Sequence, residues 1–325
     1  MDVICLGILT CDVLVQHVPE RLPKRDTTVV ERISLAAGGD ALNVAVNLSR
    51  MGFSTGIVGK IGRDGYGRFL QEILQKEKVN ADGLLQEEAE QTSVSVVLIS
   101  ESGERSFLFA PGATGRLSYE DVAKEFPEGV RVLDIGSWFA LPGFSTEGME
   151  NLLKRAKERG ILTVMDVTNN PGPPDLPALK QLLPWIDYFI PSREEAESLS
   201  GLSEPEQIAS FFLEMGARTV IVKLGEKGAA GTDGSKMEYV PATGDRPVDT
   251  TGAGDCFVAG IIAAVLKGFS LRRAMEFACK AAGLSITAVG ATTATRDFDT
   301  IDRRHPEYGE IKGGEDAVES DYHNL

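Results

Sequence analysis

The sequence has few of the residues and runs that characterise disulfide-rich, zinc-binding or membrane proteins. Its four cysteines are widely scattered, with no CxxC pair, and there are three histidines, so neither a disulfide framework nor a zinc site is expected. No apolar run approaches the ~20 residues of a membrane-spanning helix. The opening MDVICLGILTCD has no basic stretch and no small-residue cleavage site, unlike a secretory signal peptide. We expect a cytoplasmic protein with free thiols and no membrane partner.

Positive charge is also scarce. The chain has 33 Lys and Arg against 48 Asp and Glu, a formal net charge of -15. Such a charge repels the phosphate backbone of nucleic acids, so no nucleic-acid partner is expected. A chain of 325 residues with 42% hydrophobic and 25% charged residues is typical of a globular protein with a large core. Any anionic ligand therefore has to be held by backbone amides and a metal ion.

Apolar, strand-like runs alternate with amphipathic helical stretches through most of the chain. The runs begin near residues 3, 130, 161, 187 and 219, and helices are predicted from Leu42, from Thr146, after Ser192 and over 208–215. This rhythm predicts an α/β fold with a mostly parallel central sheet and helices on both faces. Ligands bind such sheets at the carboxyl ends of the strands.

Two stretches, 11–35 and 92–110, interrupt this rhythm. Both alternate polar and apolar residues with turns between them, as strands with one exposed face do. We interpret them as a small β lid inserted in a single domain over 1–302, with an apolar face that can pair with a second copy in a homodimer. The alternative is an edge extension of the main sheet. The polar, acidic stretch 303–325 is expected to form a weakly ordered tail.

The most informative segment is 249–255, DTTGAGD, which precedes the apolar run CFVAGIIAAVLKG. That run predicts a fully buried helix with a glycine stop. At its amino end, the amides of Gly252, Ala253 and Gly254 and the helix dipole favour an anion, such as a phosphoryl group in transfer. Asp255 either complements the dipole or accepts a proton from an alcohol beside that phosphoryl group. The residues alone leave both interpretations open.

Three motifs resemble the signatures of the ribokinase-like, or PfkB, family of carbohydrate and nucleoside kinases. They are 38–45 (GGDALNVA), 59–67 (GKIGRDGYG) and 249–255 (DTTGAGD), and they occur in the family's order. The resemblance implies a ribokinase-like three-layer α/β/α sandwich and an ATP-dependent, Mg²⁺-requiring phosphorylation of a hydroxyl on a small sugar. It also implies that Asp255 is the general base and that the amides of 252–254 form the anion hole.

The first motif, 38–45, supplies candidates for substrate binding. Gly38 and Gly39 allow the backbone to approach a ligand closely. Asp40 either caps the following helix or contacts the ligand. Asn43 lies one turn later among apolar residues, and sugar hydroxyls would supply the hydrogen-bond partners that a buried amide needs.

Two further substrate candidates lie outside that motif. The resemblance implies that Asp12, at the end of the first strand-like run, accepts hydrogen bonds from substrate hydroxyls, whereas its alternative role is that of a turn residue. Arg105, on the proposed lid, either reaches the ligand or is solvated.

The nucleotide side is predicted from 223–228 (KLGEKG), which resembles the family's phosphate- and ribose-binding loop and points to Lys223, Gly225 and Gly228. The same string is also typical of a hairpin connection. Asp166 and Asn169, in MDVTNN, resemble a further loop near the phosphates or form a strand-end turn.

Metal sites are implied by two resemblances. The family's N-x-x-E motif, associated with magnesium and phosphates, appears as SREE, so Glu195 matches while Ser192 replaces the asparagine. A monovalent cation, K⁺ in many family members, would lie near a second set of residues. That set is Asp249, Thr251, Ser285, Ala288 and Gly290.

Rival functions lack their own motifs. A P-loop enzyme needs GxxxxGK[ST], and a dinucleotide oxidoreductase needs G-x-G-x-x-G after the first strand; neither is present. A non-catalytic sugar-binding module on the same fold is a third possibility, against which the intact Asp255 and its glycines argue. The polar pair Asp40 and Asn43 suits an uncharged polyol, and an acidic side chain at this place disfavours a sugar phosphate. Ribose, fructose, 2-keto-3-deoxygluconate and a nucleoside remain open, with Arg105 as a partner for a sugar-acid carboxylate.

Overall fold

The computed structural model describes residues 1–19, 26–100, 105–122, 126–168 and 175–306. The strands in these ranges are β1 (Val3–Leu6), β2 (Thr10–Val18), β3 (Arg32–Gly38), β4 (Thr55–Gly62), β5 (Asn80–Glu87), β6 (Val94–Ser100), β7 (Arg105–Ala110), β8 (Val132–Ile135), β9 (Leu162–Met165), β10 (Tyr188–Phe189), β11 (Thr219–Lys223), β12 (Ala229–Thr232) and β13 (Glu238–Val240). The helices are α1 (Asp40–Arg50), α2 (Gly65–Lys76), α3 (Thr146–Glu158), α4 (Leu176–Leu182), α5 (Arg193–Ser200), α6 (Pro205–Glu214), α7 (Ala253–Leu266), α8 (Leu271–Ser285) and α9 (Phe298–Asp302).

The main sheet has the strand order β13-β12-β11-β10-β9-β8-β1-β4-β5. The pairs from β11 through β5 are parallel, and only the hairpin of β12 and β13 at one edge runs antiparallel. The carboxyl ends of seven strands therefore meet at one edge of the sheet, where this type of fold binds ligands. The predicted α/β architecture is confirmed.

Helices cover both faces of the main sheet, each over its own apolar core. One core contains residues of α1, α2, α7, α8 and α9, and the other contains residues of α3, α4, α5 and α6. Phe277 and Phe298 stack in the first core with ring centroids 4.2 Å apart. This three-layer arrangement is what the alternation of apolar runs and amphipathic stretches predicts.

Helix α7 is the central helix of the first core, as its sequence predicts. It has buried residues on every face, and Gly268, with φ 78°, follows its end. It packs closely on α8: a Cβ at Gly260 would lie 2.7 Å from the Cα of Ala278. This contact fixes the position of the amino end of α7 at the sheet edge.

A second sheet of order β3-β2-β6-β7 forms from the two stretches that interrupt the rhythm. It is separate from the main sheet, so the predicted small sheet is confirmed and the edge extension does not hold. Strand register places Asp12 beside Ser95 and Ala36, with all three side chains on one face of this sheet. The opposite face exposes Ile33, Leu35 and Leu108, with 63%, 48% and 62% of their surface accessible.

The predicted tail 303–325 lies mostly outside the described residues, as do parts of both lid stretches. Over the ranges that the structure describes, no helix combines the length and apolar character needed to cross a bilayer.

Candidate active site

Asp255 lies in the first turn of α7, at the sheet edge where the strands end. Gly252 precedes this helix with φ 73°, and a Cβ there would lie 2.3 Å from that of Ala291, so the turn requires glycine. Asn43 Nδ2 donates a 2.8 Å hydrogen bond to Oδ2 of Asp255. Burial raises the pKa of the Asp255 carboxyl above its usual value, while Asn43 and the nearby Lys223 act in the opposite direction.

The predicted anion hole surrounds this turn. The first amides of a helix have no intrahelical acceptor, but the Ala253 amide donates to the Thr250 carbonyl at 3.2 Å. At Gly254, a Cβ would contact the end of the Lys223 side chain, with Nζ at 3.4 Å. Because this side chain is flexible, a ligand can approach Gly254, and the amide there is better placed than that of Ala253 to bind an anion.

The diglycine has a packing role at both positions. A Cβ at Gly38 would lie 2.2 Å from Oδ2 of Asp12, so this glycine makes room for the Asp12 carboxylate. Gly39 has φ 94°, and a Cβ there would lie 2.3 Å from the Ile8 carbonyl oxygen. Burial, and then the charge of Asp255, raises the pKa of Asp12 to about 7.

Asp40 is the first residue of α1, and Gly39 occupies the N-cap position. Its Oδ1 accepts from the amides of Ile8 at 2.9 Å and of Ala41 at 2.5 Å. The carboxylate packs against Gly136, where a Cβ would lie 2.6 Å from its Cγ. Burial raises the pKa of Asp40 to about 6, although these hydrogen bonds oppose the shift. The remaining oxygen of Asp40 is buried without a partner among the described residues.

The substrate side thus collects Asp12, Asp40 and Asn43 around Asp255. The side-chain amide oxygen of Asn43, Oδ1, is also buried and lacks a partner among the described residues, so it is available to a ligand. The backbone of Arg105 begins β7, paired with Ile99. Its side chain is not among the described parts of the structure.

A cavity of about 310 Å³ lies beside Asp255, on the side predicted to bind the nucleotide. Its lining consists of Ser137, Asp166, Val167, Thr168, Ser192, Glu194, Glu195, Lys223, Gly225, Gly254 and Asp255. Gly228 lies outside this lining and has φ 99°, with a Cβ there placed 2.0 Å from the Val240 carbonyl oxygen, so its role is in the turn. Asn169 falls outside the described residues.

Ser192 and Glu195 form a capping box at the start of α5. The Ser192 amide donates to Oε2 of Glu195 at 2.7 Å, and the Glu195 amide donates to the Ser192 hydroxyl at 3.3 Å. This local bonding holds the Glu195 carboxylate at the wall of the cavity. The Ser192 hydroxyl is engaged in the cap.

Asp166 and Lys223 form an ion pair across the same cavity. Asp166 follows β9 and Lys223 ends β11, and Nζ lies 2.5 Å from Oδ2. Burial raises the pKa of Asp166 to about 7, opposed chiefly by the Lys223 charge. Although burial acts against it, the carboxylates of Asp166 and Glu195 raise the pKa of Lys223.

The predicted cation loop is held together by Asp249. Its Oδ1 accepts from the Thr251 amide at 2.8 Å and its Oδ2 from the Gly290 amide at 2.9 Å. The amide of Asp249 donates to the Ile286 carbonyl at 3.1 Å. The segments 249–251 and 285–290 are therefore adjacent, and the Ser285 hydroxyl is bonded to the Ala282 carbonyl at 2.8 Å.

The motif GKIGRDGYG supports the site from outside. Asp64 is the N-cap of α2 and accepts from the Gly67 amide at 2.8 Å. It also accepts from the amide and hydroxyl of Thr92, at 2.8 and 2.7 Å. These bonds lower the pKa of Asp64 despite its partial burial. They fix the start of the segment that leads to β6, in the small sheet.

Sequence reasoning missed Asp134, Ser137 and Glu194. Asp134 lies on β8 opposite Cys5 on β1, and its carboxylate is buried beneath the site. Burial, and then the charges of Asp40 and the other site carboxylates, raise its pKa well above the usual value. The available signal was an acid inside an apolar strand, VLDI. Ser137 has φ 45°, and such a strained residue at the end of a central strand is typical of a functional edge.

The family follows from comparison with known proteins. A family model described as pfkB family carbohydrate kinase matches residues 1–297. The chain belongs to the pfkB family. This pfkB protein is therefore a carbohydrate kinase by family, as its three motifs predict.

The relatives of this pfkB protein include several named kinases. It is 30% identical to the ATP-dependent 6-phosphofructokinase of Thermoanaerobacterium thermosaccharolyticum, with 81% of this chain and 83% of that one covered. It is 28% identical to the ribokinase of Haemophilus influenzae, with 89% and 93% covered. A structure of Arabidopsis thaliana ribokinase complexed with ribose and ATP aligns with a TM-score of 0.79 at 26% identity, covering 92% and 97%. The predicted ribokinase-like fold is confirmed.

Proposed function

We propose that this protein uses ATP to phosphorylate a hydroxyl group of a small sugar, with Asp255 as the general base. One observation carries the proposal: Asp255 lines the cavity on the nucleotide side and is hydrogen-bonded to Asn43 on the substrate side. A single carboxylate thus lies between a polar pocket suited to hydroxyl groups and a cavity bordered by a helix amino end. Phosphoryl transfer needs this juxtaposition of base and anion site.

The proposed reaction uses the geometry as follows. A sugar hydroxyl bound beside Asn43 donates its proton to Asp255 as the hydroxyl oxygen attacks the terminal phosphorus of ATP. The bond between this phosphorus and the β–γ bridging oxygen breaks, and ADP leaves with that oxygen. The helix dipole of α7 and the amides near Gly254 stabilise the negative charge on the phosphoryl oxygens. Raising the pKa of Asp255 by burial improves its strength as a base, provided that it stays ionised at the working pH.

Magnesium fits the carboxylates that border the nucleotide cavity. Among the described residues, no group of three His, Cys, Asp or Glu side chains is arranged to hold a metal ion without a ligand. Mg²⁺ commonly binds through one or two carboxylates together with substrate phosphates and waters. Glu195 and Asp166 supply such carboxylates at the cavity wall. Mg²⁺ bound there would neutralise charge on the phosphates of ATP.

A monovalent cation is proposed for the loop around Asp249 and Thr251. Its support is the adjacency of 249–251 to 285–290, which brings backbone carbonyls near one another beside the anion hole. Activity in potassium should exceed activity in a bulky organic cation if the ion is bound. Equal rates in the two salts would contradict the proposed cation site.

For the substrate, we propose an uncharged pentose or hexose. Asp12, Asp40 and Asp255 make this side acidic, which disfavours a phosphorylated sugar. A ribokinase structure with ribose and ATP and a relative named fructokinase-2 at 30% identity support this class. The 6-phosphofructokinase relative supports a sugar phosphate instead. 2-Keto-3-deoxygluconate and nucleosides are further alternatives.

The small sheet is proposed to act as a lid over a single domain, and its outer face as a homodimer contact. Asp12 on its inner face links the sheet to the site, and exposed Ile33, Leu35 and Leu108 form an apolar outer surface. Light scattering tests the contact: the wild type should be a dimer, and Leu35→Glu a monomer. A monomeric wild type would contradict the proposed homodimer contact.

The direct test is ADP release from Mg-ATP across free sugars, ketodeoxygluconate, nucleosides and fructose 6-phosphate. Strong turnover of one compound is expected, and Asp255→Asn should lower it by about 100-fold or more. ATP affinity should be largely kept, because Asp255 is proposed to act on the sugar hydroxyl. Tight ATP binding without turnover of any compound would favour the non-catalytic sugar-binding module.

A further inference from the structure

The ion pair of Lys223 and Asp166 occupies the wall of the nucleotide cavity. Nζ of Lys223 lies 2.5 Å from Oδ2 of Asp166, and the two side chains are only 13% and 11% exposed. The pair is built from the ends of two parallel strands with β10 between them. Its position is therefore fixed by the sheet, whereas the four-carbon stem of lysine leaves the ammonium able to move.

The charges around this pair are strongly unbalanced. The described lining of the cavity contains the carboxylates of Asp166, Glu194, Glu195 and Asp255, and Lys223 is its cationic side chain. A polyphosphate entering such a cavity is repelled by the carboxylates unless some are neutralised. Asp166 is the direct partner of Lys223. Breaking this ion pair frees the Lys223 ammonium to bind phosphate and the Asp166 carboxylate to bind a metal ion.

Lys223 is also close to the proposed anion hole. Its Nζ would lie 3.4 Å from a Cβ at Gly254, the residue whose amide is placed to bind a phosphoryl oxygen. An oxygen held over Gly254 is thus within reach of the ammonium after a small movement of the side chain. Lysine commonly binds phosphates as a point charge.

We propose that Lys223 and Asp166 exchange partners when Mg-ATP binds. Lys223 leaves Asp166 for the terminal phosphate oxygens over Gly254, and Asp166 binds the metal ion through its hydration waters. The ion pair is then a reversible arrangement that holds the two groups in the cavity before ATP arrives. This inference rests on the proposed kinase function.

The exchange differs from a permanent structural ion pair in what each residue does to ATP affinity. In the exchange, Asp166 competes with phosphate for Lys223 until Asp166 binds a metal ion. Asp166 therefore opposes the binding of metal-free ATP and favours that of Mg-ATP. A permanent pair contributes to the stability of the fold and leaves the effect of Mg²⁺ on ATP affinity unchanged.

The test measures the Kd of ATP by calorimetry on the whole chain, in EDTA and in Mg²⁺. Asp166→Asn should bind metal-free ATP about tenfold more tightly than the wild type, and Lys223→Met about tenfold more weakly. The ratio of the Kd in EDTA to the Kd in Mg²⁺ should fall about tenfold in Asp166→Asn. In Lys223→Met this ratio should stay at its wild-type value. An unchanged ratio in Asp166→Asn overturns the exchange.

Two further variants keep the test decisive. Lys236→Met removes a lysine that is 71% exposed and paired with Glu238, and it should leave both Kd values unchanged. The double variant Lys223→Met with Asp166→Asn leaves no uncompensated buried charge. If a single variant fails to fold, the double variant decides, since the exchange predicts a lowered ratio there and a permanent pair predicts the wild-type ratio.

Failure of the exchange and failure of the kinase function give different results. If the wild type phosphorylates a sugar but Asp166→Asn keeps the wild-type Kd ratio, only the exchange is wrong. If the wild type binds no ATP in either buffer, the proposed kinase function fails and the exchange fails with it.

Discussion

Asn43 donates a hydrogen bond of 2.8 Å to Asp255 although 212 positions separate them in the sequence. Asn43 lies on α1 and Asp255 on α7, and these helices pack together on one face of the sheet. The bond gives the carboxylate of the proposed base a fixed orientation before any substrate binds. Because it stabilises the ionised form, it also lowers the pKa of Asp255 against the effect of burial.

Replacing Asn43 with alanine should lower kcat by about 10- to 100-fold, because the base loses its orienting donor. The pKa of Asp255 should also rise, so the acidic limb of the kcat profile should move to higher pH. Rates measured from pH 5 to 9 test both effects. Asn80→Ala, which removes an exposed amide at the amino end of β5, is the control, and a variant at Asn43 with an unchanged pH profile contradicts the role.

The two glycines of the anion hole should respond differently to alanine. Gly254→Ala should fold normally, since its Cβ would meet only the end of the Lys223 side chain at 3.4 Å. Its kcat should fall by about 100-fold, because the methyl group occupies the proposed phosphoryl position. Gly252→Ala should instead lower the free energy of unfolding by about 1–3 kcal/mol, through its φ of 73° and the contact with Ala291. Thermal melts and initial rates separate the two effects; a fully active Gly254→Ala would argue against the anion hole.

The KM for the sugar should depend on the protonation of Asp12. Its pKa is raised to about 7, so the carboxylate is protonated below that pH and loses its capacity as a charged acceptor of sugar hydroxyls. We expect KM to rise as the pH falls from 8 to 6. In Asp12→Asn, KM should be higher and nearly constant over that range. The same pH dependence in wild type and variant would exclude Asp12 from substrate binding.

Asp134 should make the fold less stable as the pH rises. Its pKa is raised well above the usual value by burial, so the native protein holds a proton that the unfolded chain releases. Stability from this group is present below the unfolded pKa of ~4 and is lost as the pH rises toward the folded pKa. Asp134→Asn should therefore gain at least about 1 kcal/mol relative to wild type between pH 5 and 8.

Urea denaturation at several pH values measures this gain. Asp82→Asn, an exposed carboxylate, is the matched control and should follow the wild type at every pH. A constant difference between Asp134→Asn and the wild type across the range would show that Asp134 is ionised in the folded protein.

Local patterns predicted the elements of the fold well. The helix from Thr146 begins at the predicted residue, because Ser145 caps it and its apolar positions repeat at the helical period. The buried helix after Asp255 was equally clear, since a long apolar run before a glycine has few other structures available. The small sheet was predicted from the period-two alternation of its strands, which a helix does not produce.

Some roles could not be assigned from neighbouring residues. The sequence predicts that Gly38 lets the backbone approach a ligand, and only the structure reveals that this glycine also makes room for the Asp12 carboxylate. Asp64 belongs to a family motif, but its contacts with Thr92 show a structural role. In each case the deciding contact joins residues that lie far apart in the sequence.

The fold class, the family and the segment that contains the proposed catalytic aspartate can be predicted from the sequence alone. Periodicity and glycine-rich turns act over a few residues, so they can be recognised in a single chain. Three relations are visible only in the tertiary structure. Asn43 donates a hydrogen bond to Asp255, Lys223 pairs with Asp166 across the cavity, and Asp134 is buried beneath the site. These relations depend on strand order and helix packing, which bring distant residues together and remove water from their charges.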